Sequence, residues 1–226
     1  MNAEGFSPGD TVLLIFARYP TPGKVKTRLA ATLGADRAAT FYRACAEYIF
    51  QECAKLDESV TRYLFYSDDA DNERMRQWVG NDFLYMAQGT GDLGERMSNA
   101  FEKIFSEGAH KVIIIGTDVP DISAGIIGEA IRALDDCDAV IGPSRDGGYY
   151  LLGMKQLHEE IFSNITWGSG SVFAETVKRL QGKRLSLHSM LALADIDTED
   201  DLRTWYVSGS QDHPLKDVVK NLIAHV

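Results

Sequence analysis

Hydrophobic positions along the chain alternate between short continuous runs and amphipathic stretches of helical period. Residues 11–16 form an almost wholly apolar run, which is typical of a strand buried on both faces of a parallel sheet. Residues 36–56 carry apolar side chains three and four positions apart, which predicts an amphipathic helix. Further strands are predicted over residues 60–66, 83–87, 111–115, 139–141, 149–154 and 184–187. Further helices are predicted over residues 71–79, 93–105, 123–134, 172–180 and 199–207.

This alternation predicts an α/β fold of three layers, in which helices flank a mostly parallel central sheet. No linker, repeat or low-complexity tract interrupts the 226 residues, so we expect a single domain over residues 1–226. Such folds bind ligands in the crevice beyond the carboxyl ends of their strands. The segments that follow residues 16 and 115 are therefore predicted to lie at the binding site.

Charge is distributed unevenly along this acidic chain. It has 33 acidic and 23 basic residues, a formal net charge of −10. Yet the segment between residues 11 and 35 contains no acidic residue and carries Arg18, Lys24, Lys26 and Arg28. Because lysine and arginine stabilise phosphoryl charge directly, this segment is predicted to be a loop that holds a nucleotide phosphate chain.

The composition also excludes several classes of protein. A sequence pI of about 4.9 argues against nucleic-acid partners and against recruitment to anionic membranes. The apolar runs are far shorter than the roughly 20 residues that span a bilayer. Residues 1–10 show no signal-peptide pattern, and the three cysteines form no Cys-x-x-Cys pair. These features predict a cytoplasmic protein with free thiols.

A conspicuous carboxylate follows the apolar strand at residues 111–115. Asp118 stands at the carboxyl end of this strand, just before Pro120. Magnesium is typically held by one or two carboxylates together with substrate phosphate oxygens, and Asp118 is well placed for this role. The alternative is that Asp118 or Asp121 only caps the helix that begins near residue 123.

A second group of carboxylates occupies residues 195–201, at the start of a predicted helix. Thr198 is expected to be the N-cap, and acidic residues are favourable in a first helical turn. Asp197 precedes this cap, so it either belongs to the helix start or turns toward the crevice as a second metal ligand.

Two glycine-rich segments each allow a structural and a functional interpretation. Asp146, Gly147 and Gly148 join two predicted strands; they either form an ordinary hairpin turn or let a ligand approach the backbone closely. Residues 89–94 match Gly-x-Gly-x-x-Gly, but a dinucleotide would face two carboxylates there. Asp92 and Glu95 instead resemble a helix-capping pair.

Five segments in this order carry a family resemblance: residues 16–29 (FARYPTPGKVKTRL), 91–96 (GDLGER), 116–120 (GTDVP), 146–149 (DGGY) and 195–198 (DIDT). Together they resemble a bacterial family of glycosyltransferase-like proteins within the nucleotide-diphospho-sugar transferase superfamily. This family is similar to the guanylyltransferases of deazaflavin cofactor synthesis and to molybdenum cofactor nucleotidyltransferases. The resemblance implies the GT-A fold.

The resemblance also implies roles for individual residues. The phosphate loop would comprise Ala17, Arg18, Lys24, Lys26 and Arg28. Gly91 and Asp92 would lie near the base or ribose. The acceptor or sugar pocket would be bordered by Asp146, Gly147 and Gly148, with Trp167 at its rim rather than in the core.

For the chemistry, the resemblance implies that Asp118 is the main ligand of Mg²⁺ or Mn²⁺ and that Asp197 is the second. The predicted catalytic residues are Asp118, Lys24 and Arg28, the two cations stabilising charge on departing pyrophosphate. Two departures from the superfamily pattern stand out. Ala17-Arg18 replaces the usual Gly-Gly pair, and the Asp-x-Asp expected of glycosyltransferases at the central strand is missing.

The leading prediction is therefore metal-dependent nucleotidyl transfer from a nucleoside triphosphate to a small phosphorylated or carboxylated acceptor. One alternative is glycosyl transfer from a nucleotide-sugar, and another is a non-catalytic nucleotide-binding protein. The expected partners are these small molecules, with neither nucleic acid nor membrane. The oligomeric state is left open, a homodimer included.

Overall fold

A computed structural model of the protein describes Phe6, residues 10–67 and residues 70–224. Its strands are β1 Thr11–Ala17, β2 Val60–Tyr66, β3 Leu84–Ala87, β4 Lys111–Ile115, β5 Ala139–Pro143, β6 Tyr149–Met154 and β7 Leu187–Ser189. Its α-helices are α1 Thr27–Leu33, α2 Ala35–Ala54, α3 Asn72–Val79, α4 Leu93–Ser106, α5 Ala124–Asp136, α6 Val172–Gly182, α7 Glu199–Ser208 and α8 Lys216–Ile223. A 3₁₀ helix spans Glu159–Ile161.

The strands form one sheet in the order β3-β2-β1-β4-β6-β5-β7. β6 runs antiparallel to its two neighbours, and every other pairing is parallel. Ile15 of β1 pairs with Ile115 of β4, so the loops that follow these two strands start side by side. The predicted juxtaposition of the cationic segment and Asp118 is thus produced by the register of two central strands.

Alternate side chains of the central strands divide the core into two layers. Leu13 and Ile15 pack on the face covered by α2 and α5, whereas Val12 and Leu14 pack on the face covered by α4 and α6. All four side chains are fully buried, which is why these strands read as continuous apolar runs rather than as alternating ones. The three-layer arrangement predicted from the sequence is confirmed.

Two α-helices and one strand differ most from the predictions. α1 begins inside the segment that we predicted to be a loop, because its N-cap, Lys26, has no side-chain capping bond and so leaves no sequence signal. α8 was not predicted either. The last strand lies at Leu187–Ser189 rather than at residues 184–187, because the backbone and side chain of Ser186 bind Asp138 just before β7 begins.

None of the described helices has the length and apolar character needed to cross a lipid bilayer. Cys45, Cys53 and Cys137 are free thiols, as predicted. Residues 1–5 and 7–9, on which the expectation of no signal peptide depends, lie outside the described residues.

Candidate functional site

The site begins where β1 and β4 end, and Tyr42 of α2 ties the two following loops together. The backbone N–H of Arg18 donates to the Tyr42 hydroxyl at 2.8 Å, and this hydroxyl lies 2.9 Å from that of Thr117. Burial raises the pKa of Tyr42 to about 12, so it remains a neutral phenol. Tyr42 therefore positions the cationic loop against the segment that carries Asp118.

We expect Tyr42→Phe to lower the free energy of unfolding by about 1–3 kcal/mol, because the Arg18 N–H and the Thr117 hydroxyl both lose a partner. Chemical denaturation measures this loss. Tyr63→Phe is the matched control, since no hydrogen bond joins the Tyr63 hydroxyl to a described residue. Equal stability of the two variants would contradict the positioning role.

Lys26 connects the two carboxylates that were predicted to bind metal. Its Nζ lies 2.8 Å from Oδ1 of Asp197 and 3.3 Å from Oδ2 of Asp118. The Lys26 side chain is only 5% exposed. Burial acts to lower the pKa of Lys26, but the charges of Asp118 and Asp197 outweigh it and hold the pKa above its usual value.

Lys26, Asp118 and Asp197 line a cavity of about 350 Å³ together with further cationic side chains. Its lining includes Arg18, Lys24, Lys26, Arg28, Asp118 and Asp197. Arg28 lies in the first turn of α1 rather than in a loop, is 71% exposed and reaches Oδ2 of Asp197 at 3.5 Å. The structure thus brings the predicted phosphate-binding cations and the predicted metal ligands to one place.

A larger cavity of about 530 Å³ adjoins the first and shares Arg18, Tyr42 and Asp118 with it. One wall consists of the end of β1, including Ala17, together with Gln88 and Arg96. Gln88 is buried, its amide donates to the carbonyl of Phe65 at 2.9 Å, and its Oε1 accepts from Arg96 at 2.6 Å. Neither Gln88 nor Arg96 was predicted as a site residue. A lone glutamine after a short strand carries no motif, and Arg96 was included only as the last residue of the 91–96 segment.

Gly91 and Asp92 take part in the start of α4. The Asp92 carboxylate accepts from the Glu95 N–H at 2.9 Å, and the Glu95 carboxylate accepts from the Asp92 N–H at 2.8 Å. This confirms the predicted capping pair. The described residues that line the larger cavity here are Leu93, Arg96 and Met97 rather than Gly91 or Asp92. A contact of Gly91 and Asp92 with base or ribose stays a prediction.

The turn between β5 and β6 forms the opposite wall. Asp146 accepts from the Ser144 hydroxyl at 2.5 Å and from the Gly148 N–H at 2.9 Å, so the hairpin interpretation of this segment is confirmed. Asp146 and Gly148 also line the larger cavity. Gly147 instead packs on the 165–170 segment, where a Cβ atom would lie 2.1 Å from the carbonyl oxygen of Gly170.

Trp167 contributes an aromatic surface to the larger cavity. Its ring meets Tyr149 edge-on, with centroids 6.4 Å apart. The indole lies against Gly94 so closely that a Cβ atom there would come within 2.4 Å of it. The absent side chain at residue 94 therefore allows the 165–170 segment to pack against α4. Trp167 lines the larger cavity, and its place at the rim of an acceptor or sugar pocket stays a prediction.

Asp195 is a further cavity residue that we did not predict as part of the site. Burial, with the carboxylates of Asp146, Asp197 and Asp118, raises the pKa of Asp195 to about 6. Its spacing of two from Asp197 was the only signal in the sequence. Asp121 faces away: it accepts from the Trp205 indole at 2.9 Å, and Ser123 caps α5, so a capping role for Asp121 is wrong.

The candidate metal ligands are chemically suitable but few. Among residues 10–67 and 70–224, no group of three or more His, Cys, Asp and Glu side chains is arranged to hold an ion. Asp118 and Asp197 remain as a pair of oxygen donors beside the cationic cavity. Two carboxylates fit Mg²⁺ or Mn²⁺ when phosphate oxygens complete the coordination.

Comparison with known proteins places this site in context. The model of a family described as "Uncharacterized protein conserved in bacteria (DUF2064)" matches residues 49–169. The 2-phospho-L-lactate guanylyltransferase of Methanocaldococcus vulcanius is 30% identical over 137 residues, 59% of this chain. The match also spans only 59% of that curated relative's length.

Solved structures give fuller coverage. A crystal structure of a candidate nucleotide-diphospho-sugar transferase from Desulfovibrio desulfuricans G20 is 33% identical with a TM-score of 0.87, covering 96% of this chain and 97% of that one. Rv0371c of Mycobacterium tuberculosis H37Rv, solved with manganese, is 13% identical with a TM-score of 0.50, covering 88% and 99% of the two chains. The predicted nucleotide-diphospho-sugar transferase fold is confirmed by the first of these.

Proposed function

This chain belongs to the bacterial family DUF2064, and we propose that it is a metal-dependent nucleotidyltransferase. In this reaction an acceptor oxygen bonds to the α-phosphorus of a nucleoside triphosphate. The bond from that phosphorus to the oxygen bridging it to the β-phosphorus breaks, and pyrophosphate leaves with the electron pair. The acceptor is a small molecule that presents a phosphate or carboxylate oxygen.

The observation that carries the proposal is the position of Asp118. It lies where the cationic cavity meets the larger cavity, so a nucleotide that spans both would place its phosphates beside this carboxylate. Arg18, Lys24 and Arg28 would bind the β- and γ-phosphates and stabilise the charge of departing pyrophosphate. Catalysis would depend on the positioning of the reacting groups and on electrostatic stabilisation, without a protein nucleophile.

Asp118 and Asp197 would hold the divalent cation, which when bound neutralises charge on the phosphate oxygens. Magnesium is our first assignment and manganese the second; the manganese bound to the mycobacterial neighbour supports a divalent ion of this kind. The larger cavity would take the nucleoside and the acceptor, between the wall that contains Gln88 and Arg96 and the indole of Trp167. A cytoplasmic location and a homodimer stay predictions.

The name of the Methanocaldococcus relative supports nucleotidyl transfer, as does the missing Asp-x-Asp at β4. Glycosyl transfer is the second candidate, because the similar Desulfovibrio protein is described as a nucleotide-diphospho-sugar transferase. The same cations and carboxylates could grip the diphosphate of a nucleotide-sugar.

A thermal-shift panel of nucleoside triphosphates and nucleotide-sugars, each with and without Mg²⁺, separates these functions. Ligand binding raises the melting temperature according to affinity and concentration. We expect the largest magnesium-dependent shift with a triphosphate. A larger shift with a nucleotide-sugar would favour glycosyl transfer, and a nucleotide shift indifferent to Mg²⁺ would favour a non-catalytic binder. No shift with any nucleotide would refute the proposal.

A further inference from the structure

The ammonium group of Lys26 already occupies the space between the two carboxylates assigned to metal. Nζ contacts one oxygen of Asp118 and one of Asp197. The other Asp197 oxygen faces Arg28 at 3.5 Å. Asp197 is thus engaged by cations at both oxygens, and the negative charge of the pair is balanced from within the chain.

A divalent ion could not simply be added to this arrangement. Mg²⁺ binds carboxylate oxygens at about 2.0–2.1 Å, far closer than the 2.8 Å and 3.3 Å at which the ammonium sits. A cation held by both carboxylates would compete with Lys26 for their negative charge, because the ammonium contacts one oxygen of each. It would also repel the ammonium group strongly, because the Lys26 side chain is screened from water.

We propose that Lys26 is the resident counter-ion of the Asp118–Asp197 pair, and that a divalent cation binds this pair only when the Lys26 ammonium moves away from it, a move that the phosphates of a bound nucleotide favour. This inference rests on the proposed function, since it assumes that the metal and the phosphates share the site. Lys26 is here a positioning residue that couples two ligands.

The proposed exchange requires the backbone of Lys26 to stay fixed while its side chain moves. Lys26 has left-handed dihedral angles, φ 46° and ψ 49°, a costly conformation that concentrates at functional sites. Its carbonyl accepts the first α-helical hydrogen bond of α1, from Ala30 at 2.8 Å. The backbone therefore stays in place while the side chain exchanges partners within the cavity that Lys24 and Arg28 also line.

The exchange makes metal and nucleotide binding mutually dependent. A metal alone must displace the ammonium and leave it without a partner, whereas a nucleotide supplies new oxygens for it. Each ligand should therefore raise the affinity for the other by the same factor. In the absence of nucleotide, the lysine should keep metal affinity low.

Mn²⁺ binding without nucleotide, followed by electron paramagnetic resonance of the free ion, tests this inference. We expect Lys26→Met to bind Mn²⁺ at least about tenfold more tightly than wild type, because the competing cation is removed. Lys24→Met is the matched control: Lys24 lines the same cavity but forms no ion pair among the described residues, so its removal should change affinity by no more than about threefold. Equal affinities of the two variants, or weaker binding by Lys26→Met, would overturn the proposal.

The double variant Lys26→Met/Asp118→Asn locates the ion. Loss of the tight Mn²⁺ binding would support the exchange at Asp118. Binding as tight as that of Lys26→Met would overturn both the exchange and the metal role of Asp118. Because no nucleotide is present, a failed exchange with intact nucleotide shifts in the thermal panel would leave the proposed function standing.

A measurement on the wild-type chain covers the case in which Lys26→Met does not fold. Acetylation of lysines, followed by mass spectrometry, should find Lys26 protected without metal and labelled once Mn²⁺ is added. The exposed Lys55 should be labelled equally in both conditions. Protection of Lys26 that persists at saturating Mn²⁺ would overturn the proposal.

Discussion

Asp118→Asn is expected to lower the rate of pyrophosphate release by about 10²–10³-fold, the scale of losing one preorganised electrostatic contact at a reacting phosphoryl group. The substitution preserves the shape of the side chain but removes the charge that faces Lys26 and that would help to hold the divalent cation. Pyrophosphate release is measured with a coupled phosphate assay at saturating Mg²⁺. The magnesium-dependent thermal shift should disappear in the same variant.

Asp121→Asn is the matched control for this result. It lies three residues further along the same loop, but its carboxylate accepts from the Trp205 indole and lines neither cavity. Asparagine keeps that acceptor oxygen, so we expect activity within about twofold of wild type and little change in stability. Full activity of Asp118→Asn would remove the central residue of the proposed mechanism.

Gly147→Ala is expected to lower the free energy of unfolding by about 2–4 kcal/mol. Gly147 has φ 91°, where a side chain costs roughly 1–2 kcal/mol, and the added Cβ atom would lie 2.1 Å from the Gly170 carbonyl oxygen. This neighbour is backbone, so relief requires a shift of the 165–170 segment and of Trp167. Denaturant unfolding measures the stability, and nucleotide affinity should fall with it.

Gly168→Ala separates the cost of the positive φ from the cost of the steric clash with the backbone. Gly168 also has a positive φ, 81°, but a Cβ atom there would meet no atom within 4 Å. Its loss of stability should be limited to the backbone cost of a positive φ, roughly 1–2 kcal/mol. If Gly147→Ala were no less stable than Gly168→Ala, the close packing of the turn on the 165–170 segment would be refuted.

The sheet was predictable because the burial of each strand and helix determines the pattern of apolar side chains within that element. Strands buried on both faces must be apolar throughout, and helices that cover them must be amphipathic, so β1, β4 and α2 appeared directly in the pattern of side chains. α1 did not, because a helix that begins at a left-handed lysine without a capping side chain has no local signature. Arg28 therefore lies in a helix, although the sequence predicted a loop there.

The site was predictable only to the extent that strand topology dictates it. A carboxylate at the end of β4 and cations after β1 had to meet, since neighbouring parallel strands end at one edge. The pairing of Lys26 with Asp197 joins residues 171 positions apart, and no spacing rule connects them. From the sequence, Lys26 was predicted only to bind phosphate, in one loop with Lys24 and Arg28; its burial between two carboxylates distinguishes it. Gln88 and Asp195 likewise gain their positions from tertiary packing.

The central claim, attack at the α-phosphorus, is tested most directly by ³¹P nuclear magnetic resonance. The wild-type protein is incubated with Mg²⁺, each nucleoside triphosphate and a panel of small phosphorylated and carboxylated acceptors. We predict that one mixture yields pyrophosphate and a new nucleoside monophosphate conjugate in equal amounts. Triphosphates unchanged in every mixture, with a nucleotide-sugar converted to its nucleoside diphosphate under the same conditions, would contradict the proposal and establish glycosyl transfer instead.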